Sequence, residues 1–121
     1  MIRDLDLVRK ILLEIELQRN GPNSNAIKIE GYSQEEIDYH LSIMYDAGFF
    51  TAATAKRSGS NYRLIIPTGL TWAGHDFLDA CRDEKRWTKA KEIVAKMGTG
   101  ITFDVLKTIL VQIMTAQIPK F

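Results

Sequence analysis

The 121-residue sequence has few of the features that build cross-links, metal clusters or membrane spans. Its single cysteine, Cys81, excludes an internal disulfide, and a zinc cluster would need ligands that the sequence does not supply. The apolar runs are too short and too interrupted to cross a bilayer. Met1 leads directly to Arg3 and Asp4, without the apolar region of a signal peptide. We therefore expect a cytoplasmic protein without a bound cofactor.

Neither sign of charge dominates the sequence. Sixteen basic and fifteen acidic residues give a net charge of +1, so the overall charge indicates no particular partner. Hydrophobic residues make up 45% and charged residues 26%, which is the balance of a soluble globular protein. A chain of this length has room for one ordinary domain.

The first half of the sequence predicts two helices with a short extended segment between them. Apolar residues three and four apart predict a helix from Asp4 to about Arg19. The alternation in Ala26–Glu30 predicts an edge strand. Ser33-Gln34-Glu35-Glu36 has the pattern of a capping box, which opens a second helix that ends near Ala47 before Gly48.

The second half predicts a β-hairpin and three more helices. Two strands, Phe49–Lys56 and Tyr62–Ile66, flank a turn of polar residues, and Pro67 either ends the second strand or lies at an edge. The helices are expected from Thr71 to Cys81, from about Asp83 to Met97, and from Thr102 to about Ile118. A helix-turn-helix needs two helices before the hairpin. Since residues 21–32 have no amphipathic pattern, that helix is either missing or reduced to a turn.

Two short motifs resemble bacterial winged-helix regulators, in particular the ArsR-like ones. His40-Leu41 followed by Ala47-Gly48-Phe49 is similar to the end of a recognition helix and the start of a wing. Leu70-Thr71, with Gly74 and Leu78 after it, resembles the segment that follows a wing. The two motifs are separated by the predicted hairpin, as that fold requires.

A resemblance to a family of small uncharacterised bacterial and prophage-borne proteins covers nearly the whole chain. It rests on four segments, namely Arg3-Asp4-Leu5-Asp6-Leu7-Val8-Arg9-Lys10-Ile11-Leu12, Gly31-Tyr32-Ser33 with Tyr39-His40-Leu41, Leu70-Thr71-Trp72-Ala73-Gly74-His75-Asp76-Phe77-Leu78-Asp79-Ala80, and Arg86-Trp87 with Lys89-Ala90-Lys91. The resemblance implies a winged-helix-like fold and a bacterial or phage origin, and it assigns no activity. We predict an α+β, winged-helix-like single domain over residues 1–121, with a core at 1–81 and a C-terminal helical extension at 82–121.

Catalytic motifs do not emerge from the sequence. His40 and His75 lack a metal-ligand spacing, and we expect both to be packed or to cap a helix. Cys81 is expected to be a small core residue. Gly98-Thr99-Gly100 is too short for a phosphate loop, and no nucleophile elbow is present. We predict that the protein is not an enzyme.

The basic residues suggest a nucleic-acid contact. Residues 82–96 contain six basic and three acidic residues, and more bases lie at the hairpin tip, where winged proteins contact phosphates. Within residues 82–96, Arg82, Arg86 and Lys89 share one helical face. A solvated protein surface explains these scattered basic residues equally well. The candidate DNA-binding residues are Lys56, Arg57, Arg63, Arg82, Arg86 and Lys89.

The second helix opposes this interpretation. From Glu30 to Asp46 there are five acidic residues and no lysine or arginine, which is unfavourable beside a phosphate backbone. Two alternatives follow. One is a DNA-binding regulator or accessory protein of weak sequence preference, contacting duplex DNA through the wing and the basic helix. The other is a protein-interaction module whose acidic 30–46 helix faces a basic partner.

The last helix suggests a homodimer. Ten of the sixteen residues from Phe103 to Ile118 are apolar, and Asp104, Thr108, Gln112 and Thr115 fall in one arc of about 80°. An apolar surface this wide exceeds what one small core covers. The predicted dimer interface consists of Phe103, Leu106, Ile109, Leu110, Ile113 and Met114.

Overall fold

The computed structural model describes residues 2–17, 27–56, 64–97 and 103–116, with side chains omitted at 103–104 and 114–116. Over these ranges the elements are α1 (Leu5–Leu17), α2 (Gln34–Asp46), β1 (Phe50–Ala55), β2 (Leu64–Leu70), α3 (Trp72–Cys81), α4 (Glu84–Met97) and α5 (Phe103–Ala116). The predicted α+β class is therefore confirmed by five helices and an antiparallel hairpin within the described residues. The chain divides into two compact units, Met1–His75 and Asp76–Phe121.

Helix α1 begins at a cap supplied by Asp4. The Leu7 amide donates to Asp4 Oδ1 at 3.2 Å, and the Val8 amide donates to the Asp4 carbonyl oxygen at 3.1 Å. These bonds satisfy amides that the first turn of a helix leaves without partners. The apolar spacing read from the sequence forms the buried face of the helix, which consists of Leu7, Val8, Ile11, Leu12 and Ile15.

The strand predicted at residues 26–30 is wrong for 27–30, and residue 26 lies outside the described residues. The chain instead makes a turn, in which the Tyr32 amide donates to the Ile29 carbonyl at 3.2 Å and Gly31 has a φ of 89°. Glycine adopts this left-handed conformation at little steric cost. The alternating pattern reflects the burial of Ile27 and the half-burial of Ile29. This burial does not require the segment to pair with a strand. Residues 27–32 contain no helix either.

Helix α2 carries the predicted capping box. The Glu36 amide donates to Ser33 Oγ at 3.1 Å, and the Ser33 amide donates to Glu36 Oε1 at 3.2 Å. The helix ends as predicted, with Gly48 at a φ of 81°. Ile37, Leu41 and Met44 form its buried apolar face.

Replacing Ser33 with alanine is expected to lower the free energy of unfolding by about 1 kcal/mol, because one helix amide loses its cap. Ser42→Ala is the matched control, since Ser42 lies inside α2, where alanine favours the helix. Urea denaturation followed by circular dichroism measures both variants. Equal midpoints for Ser33→Ala and the parent protein would show that the cap contributes no stability.

The hairpin is longer on its second strand than predicted. Strand β2 continues past Ile66 to Leu70, and Pro67 lies inside it, opposite Ala52. Of the two sequence alternatives for Pro67, a position on an edge strand is correct, because a two-stranded sheet has only edge strands. The pairing shifts between Thr51, opposite Gly69, and Ala52, so Thr68 is the extra residue of a bulge. The predicted tip lies outside the described residues.

Thr71 joins the end of α2 to the start of α3. Its hydroxyl donates to the Gly48 carbonyl oxygen at 2.5 Å, and its amide donates to the Phe49 carbonyl oxygen at 3.1 Å. The predicted cap of α3 is confirmed, because the Gly74 amide donates to Thr71 Oγ1 at 3.1 Å. Gly74 is buried with its Cα against Phe49, and a Cβ built there would overlap the Phe49 carbonyl oxygen.

In the second unit, α4 and α5 pack against each other. Trp87 and Ala90 are the buried residues of α4. On α5 the buried side chains follow a helical stripe and consist of Leu106, Ile109, Leu110 and Ile113.

Candidate nucleic-acid interface

Helix α4 carries the densest positive charge among the described elements. Its fourteen residues include five basic and two acidic side chains, the basic ones being Lys85, Arg86, Lys89, Lys91 and Lys96. Asp83 caps the helix, because the Arg86 amide donates to Asp83 Oδ1 at 2.9 Å and the Trp87 amide donates to the Asp83 carbonyl oxygen at 2.9 Å. The hydrogen bond from the Arg86 amide lowers the pKa of the Asp83 carboxyl. The carboxylate is therefore charged at neutral pH and complements the helix dipole.

Three lysines of α4 form a stripe, which we call the lysine stripe: Lys85, Lys89 and Lys96. At 100° per residue they fall within an arc of about 40°, and all three are exposed. Among the described residues, no carboxylate forms a salt bridge with any of the three. The buried Trp87 and Ala90 lie on another side of the helix, so packing turns the stripe towards solvent.

A shallow groove runs along the same part of α4. Its volume is about 460 Å³, and its described lining residues are Glu84, Lys85, Thr88, Lys89 and Glu92. Lys85 and Lys89 thus belong both to the groove and to the lysine stripe, whereas Lys96 lies beyond the groove. The two glutamates balance the two lysines inside the groove, so the excess positive charge of α4 lies outside it.

The other predicted DNA-binding residues are not brought together on one helix. Arg82 lies between α3 and α4, and its Nη2 forms a salt bridge with Asp79 Oδ1 at 3.1 Å. The predicted helical face of Arg82, Arg86 and Lys89 is therefore corrected, because Asp83 starts a new helix after Arg82. Arg86 is half-buried, and its buried Nε has no hydrogen-bond partner among the described residues. Lys56 is exposed after β1, and Arg57 and Arg63 lie outside the described residues.

Sequence reasoning left two lysines out of the candidate site. Lys85 and Lys96 were counted among the basic residues, but the predicted face was aligned on Arg82. Within the predicted helix from about Asp83, the separations of four and eleven residues identify the lysine stripe once Arg82 is left out.

The acidity of α2 is only partly available to a partner. Glu36 is occupied in the capping box, and Asp38 is buried and accepts a hydrogen bond from Gln34 Nε2 at 2.9 Å. The exposed acids of the 30–46 segment are Glu30, Glu35 and Asp46. The electrostatic objection to DNA is therefore weaker than the five acids of the sequence indicated.

The two histidines have different environments. His40 is 1% exposed, its Nε2 accepts the Asp4 amide at 2.8 Å, and its Nδ1 lies 2.7 Å from the Glu36 carbonyl oxygen. Both ring nitrogens are thus occupied, with Nδ1 as the donor, which confirms a packed histidine. His75 is exposed. Cys81 is fully buried, as predicted.

Tyr32 extends the contact between the start of α1 and α2. Its hydroxyl donates to Asp4 Oδ2 at 3.2 Å, and Lys10 Nζ lies 5.4 Å from the centre of its ring. Burial raises the pKa of the Tyr32 phenol, and the negative charge of Asp4 raises it further.

The described residues contain no group of three His, Cys, Asp or Glu side chains arranged to hold a metal ion.

The residues predicted for a dimer interface are largely covered within one chain. Leu106 and Leu110 are fully buried, and Ile109 and Ile113 are 9% and 8% exposed. The side chains of Phe103 and Met114 lie outside the described residues. Val105 and Val111 are the exposed apolar residues of the described part of α5. The homodimer stays a prediction.

Comparison with known proteins identifies relatives without an assigned activity. A family model described as "Hypothetical protein (DUF2513)" matches residues 2–100. An "Uncharacterized protein" of Haemophilus influenzae (strain ATCC 51907 / DSM 11121 / KW20 / Rd) is 30% identical over 110 residues, which cover 90% of this chain and 92% of the relative. No solved structure matches the chain. Of the helices that the structure describes, none combines the length and apolarity that a bilayer crossing needs.

Proposed function

Since this chain belongs to the DUF2513 family of hypothetical proteins, we propose from its own surface that it is a winged-helix-like accessory or regulatory protein that binds duplex DNA. The lysine stripe of α4 provides the main contact, and Lys56 and Arg57 are further candidate contacts predicted from the sequence. Binding is directed at the phosphate backbone and has weak sequence preference.

The observation that carries this proposal is the exposed lysine stripe, which forms no salt bridge with any described residue. Lys85 and Lys96 are eleven residues apart, which corresponds to about 16 Å along a helix axis. Duplex DNA presents one charge per about 1.7 Å of its axis, so a stripe of this length spans several phosphates. Contact between a lysine ammonium group and a phosphate releases counterions from the DNA, which favours binding. The three lysines give up no salt bridge with a described residue when they make this contact.

Weak sequence preference follows from the side chains involved. A lysine ammonium is a point charge on a flexible stem, and phosphate contacts position a protein without reading bases. Helix α2, which would enter the major groove in a standard winged helix, exposes Gln34, Glu35 and Asp46 but no basic residue. Helix α2 therefore lacks the basic side chains that would hold a base-reading helix against the DNA backbone.

Removing two charges from the lysine stripe tests the proposal. We expect Lys85→Gln/Lys89→Gln to weaken binding to a labelled random-sequence duplex about tenfold or more. The plot of log K against log salt concentration should become shallower by about two units, because each lost phosphate contact removes about one. Fluorescence anisotropy at several salt concentrations measures both quantities.

Lys10→Gln/Lys28→Gln is the matched control, since it removes the same net charge from two exposed lysines outside α4. If this control weakens binding as much as the α4 pair, net charge rather than the stripe is responsible and the proposed contact is wrong. If replacing Gln34 selectively abolished binding to one DNA sequence, α2 would lie in the major groove instead. Absence of duplex binding at low salt would refute the DNA-binding function.

The proposal describes a binding protein and not an enzyme. In support of this, Cys81 is buried and both ring nitrogens of His40 are hydrogen-bonded, so neither residue is placed to act as a nucleophile or base. A protein-interaction module is the second candidate function. The observation that favours it is Trp72, whose side chain is 83% exposed.

A further inference from the structure

Strand β1 has one edge without a partner strand among the described residues. The sheet of the described residues consists of β1 and β2, so β2 covers one edge of β1 and no described strand covers the other. Apart from this pairing, none of the six residues of β1 forms a backbone hydrogen bond with another described residue. The amide and carbonyl groups on the uncovered edge can therefore bind an additional strand.

Two observations indicate which residues of β1 direct their backbone groups to the uncovered edge. The Phe49 carbonyl oxygen accepts the Thr71 amide at 3.1 Å, so the backbone of Phe49 faces the β2 side. Pro67, opposite Ala52, has no amide, so these two residues do not exchange a pair of hydrogen bonds. Because the direction alternates along a strand, the amide and carbonyl groups of Ala52 and Thr54 point away from β2. We call these four outward groups the β1 edge.

The side chains beside the β1 edge leave it open. Thr51 and residues 53–55 are exposed, and Ala52 is half-buried. From 51 to 55 every side chain is alanine or threonine, so none is bulky enough to cover the edge. Exposed edges are commonly blocked by a charged side chain or a proline, and β1 contains neither.

We propose that the β1 edge binds the β1 edge of a second copy of this chain. The two strands run antiparallel about a two-fold axis at Ala53, so Ala52 of each copy lies opposite Thr54 of the other. These opposed residues exchange hydrogen bonds and join β1 of both copies within one four-stranded sheet. This surface is not the α5 interface predicted from the sequence, and the inference does not depend on DNA binding.

The register follows from the direction of the backbone groups. Residues directly opposite each other in an antiparallel pair either both face the partner strand or both face away from it. A two-fold axis must therefore pass beside one residue and not between two neighbours. With the axis at Ala53, both Ala52 and Thr54 are used, and the paired segment extends from Phe50 to Lys56.

Charge and side-chain size favour a second copy as the occupant. The β1 edge carries no charge with which to select an acidic or a basic segment. In the proposed register alanine faces alanine at the axis, and alanine faces threonine on either side of it. Lys56 of the two copies lies at opposite ends of the paired segment, about 20 Å apart at about 3.4 Å per residue, so like charges do not meet. Such self-complementary two-fold interfaces are the commonest in homo-oligomers.

Two substitutions at Thr54 test the hydrogen bonds of the β1 edge in the full chain. Thr54→Pro removes an outward amide without removing a hydrogen bond to β2, whereas Thr54→Ala keeps that amide. We expect the parent protein and Thr54→Ala to dimerise at high micromolar to millimolar concentrations, because the paired strands are short. Thr54→Pro should dimerise at least tenfold more weakly. Sedimentation equilibrium measures the association, and circular dichroism checks that both variants are folded.

Charges introduced at Ala53 test the position of the axis without changing the backbone. Ala53→Lys and Ala53→Glu each place like charges opposite each other, so each variant should self-associate about fivefold more weakly or worse. An equal mixture of the two should recover association, because lysine then faces glutamate. Ala55→Lys and Ala55→Glu are the matched controls, since Ala55 is also exposed but faces Thr51 of the other copy. Both controls should dimerise like the parent protein.

Four results would overturn the proposal. The first is a parent protein that stays monomeric at millimolar concentration. The second is a dimer that Thr54→Pro and the Ala53 variants leave unchanged, which would assign the contact to another surface. The third is equal weakening by the Ala53 and Ala55 variants, which would indicate general charge repulsion. The fourth is a mixture of Ala53→Lys and Ala53→Glu that associates no better than either variant alone.

Discussion

Replacing Gly74 with alanine is expected to lower the free energy of unfolding by about 3 kcal/mol or more, because overpacking against backbone cannot be relieved by side-chain motion. The added Cβ would overlap the Phe49 carbonyl oxygen, and that oxygen also accepts the Thr71 amide. The start of α3 would have to move away from the end of α2. We expect a fall of at least about 10 °C in the thermal midpoint followed by circular dichroism.

Gly69→Ala is the matched control for this prediction. Gly69 lies in β2, has no atom within 4 Å of an added Cβ, and does not have a positive φ. The substitution is expected to change stability by no more than about 0.5 kcal/mol. If both glycine variants unfolded at the temperature of the parent protein, the close approach of α3 to Phe49 would not exist in solution.

His40→Ala is expected to destabilise the protein by about 3 kcal/mol. The substitution leaves a cavity at a side chain that is 1% exposed, and it removes the side-chain partner of the Asp4 amide. Unpaired polar groups add their desolvation cost to that of the cavity. Urea denaturation gives the size of the effect, and amide exchange at Asp4 reports the lost hydrogen bond directly.

The exposed His75 provides the comparison for His40. His75→Ala removes the same kind of side chain from the surface of α3 and should leave the denaturation midpoint nearly unchanged. A small effect of His40→Ala, equal to that of His75→Ala, would mean that the α1 to α2 contact contributes little to stability.

Local sequence patterns predicted the helices well because their ends are determined by nearby residues. Ser33, Thr71 and Gly48 each act within a few positions of the chain, so caps could be identified before any tertiary contact was known. The strand expected at 26–30 failed for the opposite reason. Ile27 is buried by tertiary packing, and alternation alone does not distinguish that burial from a strand.

The candidate site was predicted less completely than the fold. Composition located the positive charge in residues 82–96, but the predicted face included Arg82, which precedes the helix, and left out Lys85 and Lys96. Burial of Asp38 and the exposure of Trp72 depend on how the elements pack, and no local pattern indicates either. The sequence likewise predicted that one chain could not bury the wide apolar surface of α5. Leu106 and Leu110 are in fact buried within the chain.

The bulge and proline of β2 have a consequence for how the protein behaves at high concentration. An edge strand with free amides is a template on which another chain can add a strand, and aggregation often begins there. Pro67 has no amide to offer, and the extra residue Thr68 distorts the spacing of the groups beside it. The outer edge of β2 is therefore a poor template for strand addition, and the two-stranded hairpin of the described residues does not readily recruit further copies through that side.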